Sequence, residues 1–569
     1  MKKKNPFFVT LDARNANSHR IFVTITAQER CSFPSLLQFP IWTPGSYMVR
    51  EYSRHITKFQ GGEKINKNSW RISADIKKIS YEVYCFERTV RTSYLDDNYA
   101  ALVGATLLPI LGKNFTVKIL FPHDWSFVSS ALNFKKDRAG EWHANIRDDD
   151  HWIDSPIVAA RPGFGARGKF ALKGINHEIA WVGSQCEKSM KELERDFSKI
   201  ASVVLGIFNK APMKNYHFLL HFGAKLYGGL EHRDSQLSQF DGSTLNDEKE
   251  YKNFIRLIAH EYFHSWNVKS LRPKPLGPFK YFEENYTEDL WFAEGITDYF
   301  DDIIPFKAGF LSEKEFLEER FDDIKTMNDF LPGHSRRSLK ESSFDAWIRA
   351  YRPDEDSANT DISYYSKGSI LGWCWDAHLQ KKSRGKWTLE KLMRSFWEKY
   401  GIDAYEPLST ARPGFTRNEL LLFAEKITKI PQKTLVESWV VSRKPLPWRD
   451  AAKFFHTSWM EKIADPTQYY LGMQIQWKAS QATVQKVYAN SAAEKAGLCP
   501  GDEILAIDNY RVSEQQKIKT LLRPAALGKK VNLCISRSDR VSIFSLSPFK
   551  HKDLGMDFVP SLQKTKRKK

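Results

Sequence analysis

Cysteine is scarce in this sequence. There are six in 569 residues, Cys31, Cys85, Cys186, Cys374, Cys499 and Cys534, and no two form a Cys-x-x-Cys pair. Their scatter excludes a disulfide-dense secreted scaffold and a thiolate zinc ribbon; free, mostly buried thiols in a reducing cytoplasm are expected instead. Long hydrophobic runs are missing as well. The longest weakly polar stretch, Tyr99 to Gly112, is short and carries Pro109, whereas a membrane span needs about 20 apolar residues. No apolar stretch follows the lysines at the start of the chain, so no secretory signal is read. Acidic residues fall short of basic ones, giving a formal net charge of +18. Part of that excess sits at Lys2, Lys3 and Lys4 and at Lys564, Lys566, Arg567, Lys568 and Lys569. Such tails are usually solvated, and no nucleic-acid fold signature accompanies them, so no specific nucleic-acid partner is expected.

What is present is core-forming material, with 42% hydrophobic and 14% aromatic residues. The length implies roughly three or four domains. Residues 1–175 read as β-rich: His19–Gln28, Ile79–Arg88 and Phe115–Pro122 alternate or cluster β-branched and aromatic residues between turn formers. Phe39–Tyr52, with its Pro and Gly punctuation, reads as a packed loop. Residues 176–462 change to an α+β character, with helical periodicity over Lys188–Phe208, a strand over Asn215–Gly223, and amphipathic helices after that. Residues 463–552 return to short strands, and residues 553–569 read as a basic tail.

The chemistry concentrates in LIAHEYFHSW, Leu257 to Trp266. A helix is expected from an N-cap at Asn246. His260 and His264 then lie one turn apart on one face, where one tetrahedral cation can take both imidazoles. Glu261, rotated by about 100°, is placed to reach a water instead of the metal. Two histidines need a third ligand. Downstream, Thr287 is a plausible N-cap for a helix in which Leu290, Trp291, Phe292, Ala293 and Ile296 surround Glu294. A carboxylate in that apolar setting is costly unless it is paired or bound to a cation. Glu288 is the alternative third ligand, although its first-turn position suits dipole compensation. Asp298, one turn after Glu294, is placed to accept from the far nitrogen of either histidine, or is a surface residue. With three protein ligands, zinc keeps a fourth position for water and lowers its pKa to about 7.

These blocks resemble the gluzincin aminopeptidases. HEYFH and LWFAEG match the zinc motif with its distant glutamate, and YYSKG (Tyr364 to Gly368) resembles a Tyr-x-Lys-Gly block whose tyrosine, here Tyr365, donates to the oxyanion. YGGLEH (Tyr227 to His232) is similar to the Gly-x-Met-Glu-Asn exopeptidase motif, with Leu230 for Met and His232 for Asn. The resemblance implies substrate binding at Gly228, Gly229 and Glu231, with Glu231 holding the substrate's free α-amine. It also implies one zinc per chain on His260, His264 and Glu294, and Glu261 as general base. Over nearly all its length the chain resembles the glycyl aminopeptidases of the PDZ-containing metallopeptidases. That implies an N-terminal all-β domain, a thermolysin-like α+β catalytic domain with a helical C-terminal part, and a C-terminal PDZ domain. It further implies removal of N-terminal Gly, and less readily Ala, from peptides with a free N-terminus.

Tyr470 to Met473 resembles the carboxylate-binding loop of PDZ domains, so Leu471, Gly472 and Met473 are expected to meet a peptide terminus beside a groove helix at Ser513–Leu522. A packing domain that shapes the active-site entrance is an equal reading. The alternatives to an aminopeptidase are a non-catalytic scaffold that binds peptide ends and an endopeptidase of the same fold.

Overall fold

The computed structural model describes the chain except residues 1–4, 30, 328–331, 402–413, 464–470, 479, 527, 548–555 and 562–569. It divides into two compact units: Met1–Thr287 with Phe300–Leu311 and Glu390–Leu420, and Glu288–Tyr299 with Ser312–Leu389 and Leu421–Lys569.

The first unit opens with a seven-stranded sheet. Its spatial order is Lys135–Lys136, Trp142–Asp148, Lys113–Leu120, Phe7–Asp12, Arg20–Ala27, Lys78–Tyr84, Ile56–Gln60. Alternation explains its two faces: in Arg20–Ala27, Ile21, Val23 and Ile25 are buried while Arg20 and Phe22 face outward. A four-stranded sheet containing Tyr99–Leu102 and Ile157–Ala160 shares the same continuous core. Phe39–Tyr52 is irregular up to its last residue, as expected.

A five-stranded sheet follows, ordered Gly165–Leu172, Ile175–Gly183, Asn215–Phe222, Ser235–Phe240, Tyr227–Glu231. Its first hairpin pairs Leu172 with Ile175, so this sheet starts ahead of the expected boundary at 175. Tyr227–Glu231 is its edge strand, antiparallel to Ser235–Phe240. Two helices bear on this sheet. Met190–Phe208 is opened by a Ser189/Glu192 capping box and buries Leu193, Phe197, Ile200, Val204 and Phe208 at helical spacing. Glu248–Phe263 is capped by Asp247, not Asn246; the Asp247 carboxylate accepts from the Glu250 N–H. Phe254 packs on Phe222 and Phe240, and Tyr262 stacks on Phe218, so the sheet fixes the rotation of the helix that carries the histidines.

His177, fully buried on this sheet, is 2.9 Å through Nε2 from the Tyr262 hydroxyl. Burial lowers its pKa from 6.5 to about 4. Between those values the unfolded chain binds the proton that the folded chain refuses, so stability is lost as pH falls from about 6.5 to 4. His177→Gln is expected to flatten part of that acid limb in thermal midpoints measured against pH, while lowering stability at neutral pH; an unchanged limb refutes this.

The second unit holds helices Glu313–Met327, Leu339–Phe344, Tyr364–Ser383, Lys433–Val441 and Trp448–Phe454, together with a small β domain. The β domain orders Met473–Lys478, Gln481–Val487, Glu503–Ile507, Val531–Arg537, Arg540–Leu546 around a core that includes Leu471, Met473, Val484, Ile507 and Leu533. Its helix Gln515–Leu521 lies inside the expected groove helix. Met556–Ser561 pairs with Ser458–Ile463, so the expected basic tail includes a strand, and its last eight residues lie outside the described ones. Among the described residues no helix is long and apolar enough to cross a membrane. All six cysteines are free thiols.

Candidate active site

In the first unit the structure brings together His260, Glu261, His264 and Glu231. The His260 and His264 rings sit 4.6 Å apart, nearly perpendicular. Each uses Nδ1 for a local contact: His260 with Asp301 Oδ2 at 2.8 Å, His264 with the Asn267 carbonyl at 2.7 Å. Both acceptors require a proton on Nδ1, which leaves Nε2 as the lone-pair nitrogen, the form a divalent cation needs. Asp301, one helical turn beyond Asp298, thus accepts from His260 Nδ1. Asp301 stands beside Arg256, whose Nε is 2.7 Å from Asp302 and whose fork reaches Asp301 at 3.7 Å. Asp301→Asn is expected to weaken metal affinity about 10–100-fold, read by competition with a chelating dye; unchanged affinity refutes the role.

Glu231, Glu261 and His264, all buried, offer ligand atoms that lie within 4.8 Å of one another. Gly228 and Gly229 lie on the edge strand. A Cβ on Gly229 would stand 2.0 Å from Glu261 Oε1, so a larger residue here would have to displace that carboxylate. Two buried carboxylates this close demand positive charge nearby.

The strand end carrying Glu231 is clamped by Asp154, which the sequence reading missed. Asp154 accepts from the Lys269 ammonium at 2.8 Å and from the Arg233 N–H at 3.0 Å, and meets His232 Nδ1 at 3.1 Å. Burial opposes its ionisation, but Lys269 and His232 outweigh burial and hold the carboxyl below its usual range. His232, which replaces the asparagine of the resembled motif, thus serves this clamp. The local signal was an acidic run, Asp148–Asp150, closing on Asp154.

In the second unit the structure brings together Glu294 and Tyr365. Glu294 is buried in a single π-helical turn, Trp291–Gly295, that leads into the helix Ile296–Lys307. The run does not start from Thr287. Asp289 opens it: its carbonyl accepts from Phe292 and Ala293, and its carboxylate from the Trp291 indole. Glu288 pairs with Lys340 at 3.1 Å, partly exposed. Tyr365 lies on the helix Tyr364–Ser383, capped by Ser363. The two helices touch through glycines: a Cβ on Gly295 would stand 2.5 Å from Gly368 Cα, and one on Gly368 would stand 2.8 Å from Gly295 Cα. Burial, then the Glu294 charge, pushes the Tyr365 phenol well above its ordinary pKa.

In the β domain of this unit, the Leu471 carbonyl accepts from Ala493 and the Gly472 carbonyl from Tyr488, and Met473 opens the edge strand. Tyr470 lies outside the described residues.

A model of the M61 glycyl aminopeptidase matches residues 253–371, one of the M61 N-terminal domain residues 9–161, and one of the PDZ domain residues 470–547. No curated protein matches the chain. Among solved structures, an aminopeptidase N family protein from Idiomarina loihiensis is similar at 25% identity with TM-score 0.89, covering 98% of each chain. An M1 zinc metallopeptidase from Deinococcus radiodurans is a weaker likeness, at 12% identity and TM-score 0.46, covering 78% of this chain and 95% of the other. Native yeast LTA4 hydrolase gives 15% identity and TM-score 0.44 over 78% and 68%. The domain matches and the full-length likeness define a multidomain peptidase. The chain belongs to the M61 glycyl aminopeptidase family, with that family's N-terminal domain and a C-terminal PDZ domain.

Proposed function

We propose that this protein is a zinc-dependent aminopeptidase that removes small N-terminal residues, glycine and less readily alanine, from peptides. The observation that carries the reading is the buried convergence of Glu231, Glu261 and His264 within 4.8 Å. A hydrolase needs a base beside a metal ligand; an exopeptidase needs, in addition, a fixed anion for the substrate's ammonium.

His260, His264 and Glu294 would hold the metal. Two imidazoles in the metal-ready tautomer and a buried carboxylate make a donor set suited to zinc. Asp301, which orients His260, follows Glu294 by two helical turns on one continuous helical run, and this supports Glu294 as third ligand. When bound, zinc supplies Lewis-acid activation of water and of the scissile carbonyl. Glu261 takes the proton of the attacking water and passes it to the leaving amine. Glu231 holds the α-ammonium, which restricts cleavage to the first peptide bond. The Tyr365 hydroxyl donates to the developing oxyanion. The edge strand Tyr227–Glu231 offers backbone groups along which an extended peptide can lie. At the PDZ domain, Leu471, Gly472 and Met473 with the helix Gln515–Leu521 would flank a peptide end.

The test is a panel of chromogenic aminoacyl amides, with and without chelator, beside a peptide and its N-acetylated form. Glycyl and alanyl amides are expected to be cleaved, chelation to abolish turnover, and acetylation to block it. Cleavage of the acetylated peptide would favour an endopeptidase. No hydrolysis of any amide or peptide would favour a peptide-binding scaffold.

A further inference from the structure

Beside Glu231 lies a small cavity of about 20 Å³ lined by Trp42, Pro44, Gly45, Arg272 and Phe279 among others. Space of that size holds about one water-sized group. Trp42, Pro44 and Gly45 come from the Phe39–Tyr52 loop of the N-terminal domain, and Arg272 and Phe279 from the segment that follows the paired histidines. The wall is built rather than incidental. The Trp42 indole donates to the Lys280 carbonyl at 2.9 Å and packs edge-on against Phe279 with ring centroids 5.9 Å apart. The Ile41 N–H donates to the Tyr281 carbonyl at 2.9 Å, locking the loop to the same segment. The Arg272 guanidinium stands 5.9 Å over the Phe279 ring. Gly45 brings the loop onto the carboxylate: its φ is +85°, and a Cβ there would stand 2.5 Å from Glu231 Oε2.

We propose that Trp42 and Phe279 form the stop that limits the side chain of the substrate's N-terminal residue, and that specificity is therefore set by the N-terminal domain together with the segment behind the metal helix. The proposal rests on the aminopeptidase reading and on Glu231 as the ammonium anchor. Once the ammonium is fixed on Glu231, the α-carbon substituent of the same residue must lie within a few ångströms of that carboxylate. The cavity next to it admits a hydrogen or a methyl group; a branched or aromatic side chain meets the locked indole and phenyl rings. Pockets gain or lose about 10–200-fold per methylene by this kind of exclusion.

The experiment compares wild type with Phe279→Ala and Trp42→Phe on glycyl, alanyl and leucyl amides. Phe279 is only partly buried, which favours a folded Phe279→Ala. Circular dichroism checks both variants. In at least one variant the alanyl-to-glycyl and leucyl-to-glycyl ratios of kcat/KM are expected to rise at least tenfold. In parallel, Kd for Gly-led and Leu-led peptides is measured by calorimetry in the Glu261→Gln background, where the same ratio shift is expected without turnover. Gly45→Ala tests the anchor instead: by displacing the Glu231 carboxylate it is expected to raise KM for every free-amine substrate. Folded variants with unshifted ratios overturn the specificity wall while leaving the aminopeptidase reading intact. Absence of turnover of any amide by the wild-type protein overturns both.

Discussion

Glu261→Gln is expected to reduce kcat/KM about 10²–10⁴-fold while leaving metal content unchanged. The magnitude is that of a general base removed from the transition state. Glutamine preserves the volume of the side chain, so the close contact with the Gly229 backbone survives, and His260 and His264 keep their contacts to Asp301 and Asn267. Only the proton acceptor is lost. Steady-state kinetics beside elemental analysis separate this from a folding or metal-loading defect. A variant that keeps activity within a few-fold, or loses its metal, would overturn the assignment. Gly229→Ala approaches the same end by another route: the added methyl, 2.0 Å from Oε1, has to displace the carboxylate.

The second large effect belongs to Tyr365. Tyr365→Phe is expected to lower kcat about 10²–10³-fold, the usual cost of deleting one oxyanion donor. KM and metal content should change little. The phenol's pKa is pushed well above its ordinary value, first by burial and then by the charge of Glu294, so the hydroxyl stays protonated and able to donate. Removing the oxygen leaves the ring, and with it the stacking on Tyr364 at 4.8 Å, so stability is expected to hold. A rise in KM with kcat unchanged would instead assign Tyr365 to ground-state binding.

Much of this arrangement was legible in the sequence because it is periodic or local. A spacing of four residues sets His260 and His264 on one helical face, and the apolar neighbours of Glu294 mark it as a carboxylate that needs a reason to be buried. The Ser189/Glu192 capping box and the strand alternation of Arg20–Ala27 are local rules that the structure obeys. Errors arose where two residues competed for one role. Asn246 and Asp247 are both good caps, and the carboxylate took the position. Thr287 has cap propensity, but the Asp289 side chain engages the Trp291 indole and the helical run begins there. The residues missed altogether come from segments far apart in the chain. Asp154 meets Lys269 across more than a hundred residues, and Trp42 meets Lys280 across more than two hundred. No local rule connects such partners, because their pairing is decided by the packing of the β-rich domain against the catalytic sheet.

The glycine-to-glycine contact between the Glu294 and Tyr365 helices has a mechanical consequence. Most helix crossings are spaced by side chains, which can hop between rotamers and let the separation drift by fractions of an ångström. At Gly295 and Gly368 there is nothing to hop: backbone rests on backbone. The distance between the helix bearing the carboxylate and the helix bearing the phenol is thus gauged by two rigid rods in direct touch, and thermal disorder in the surrounding side chains has no lever with which to change it.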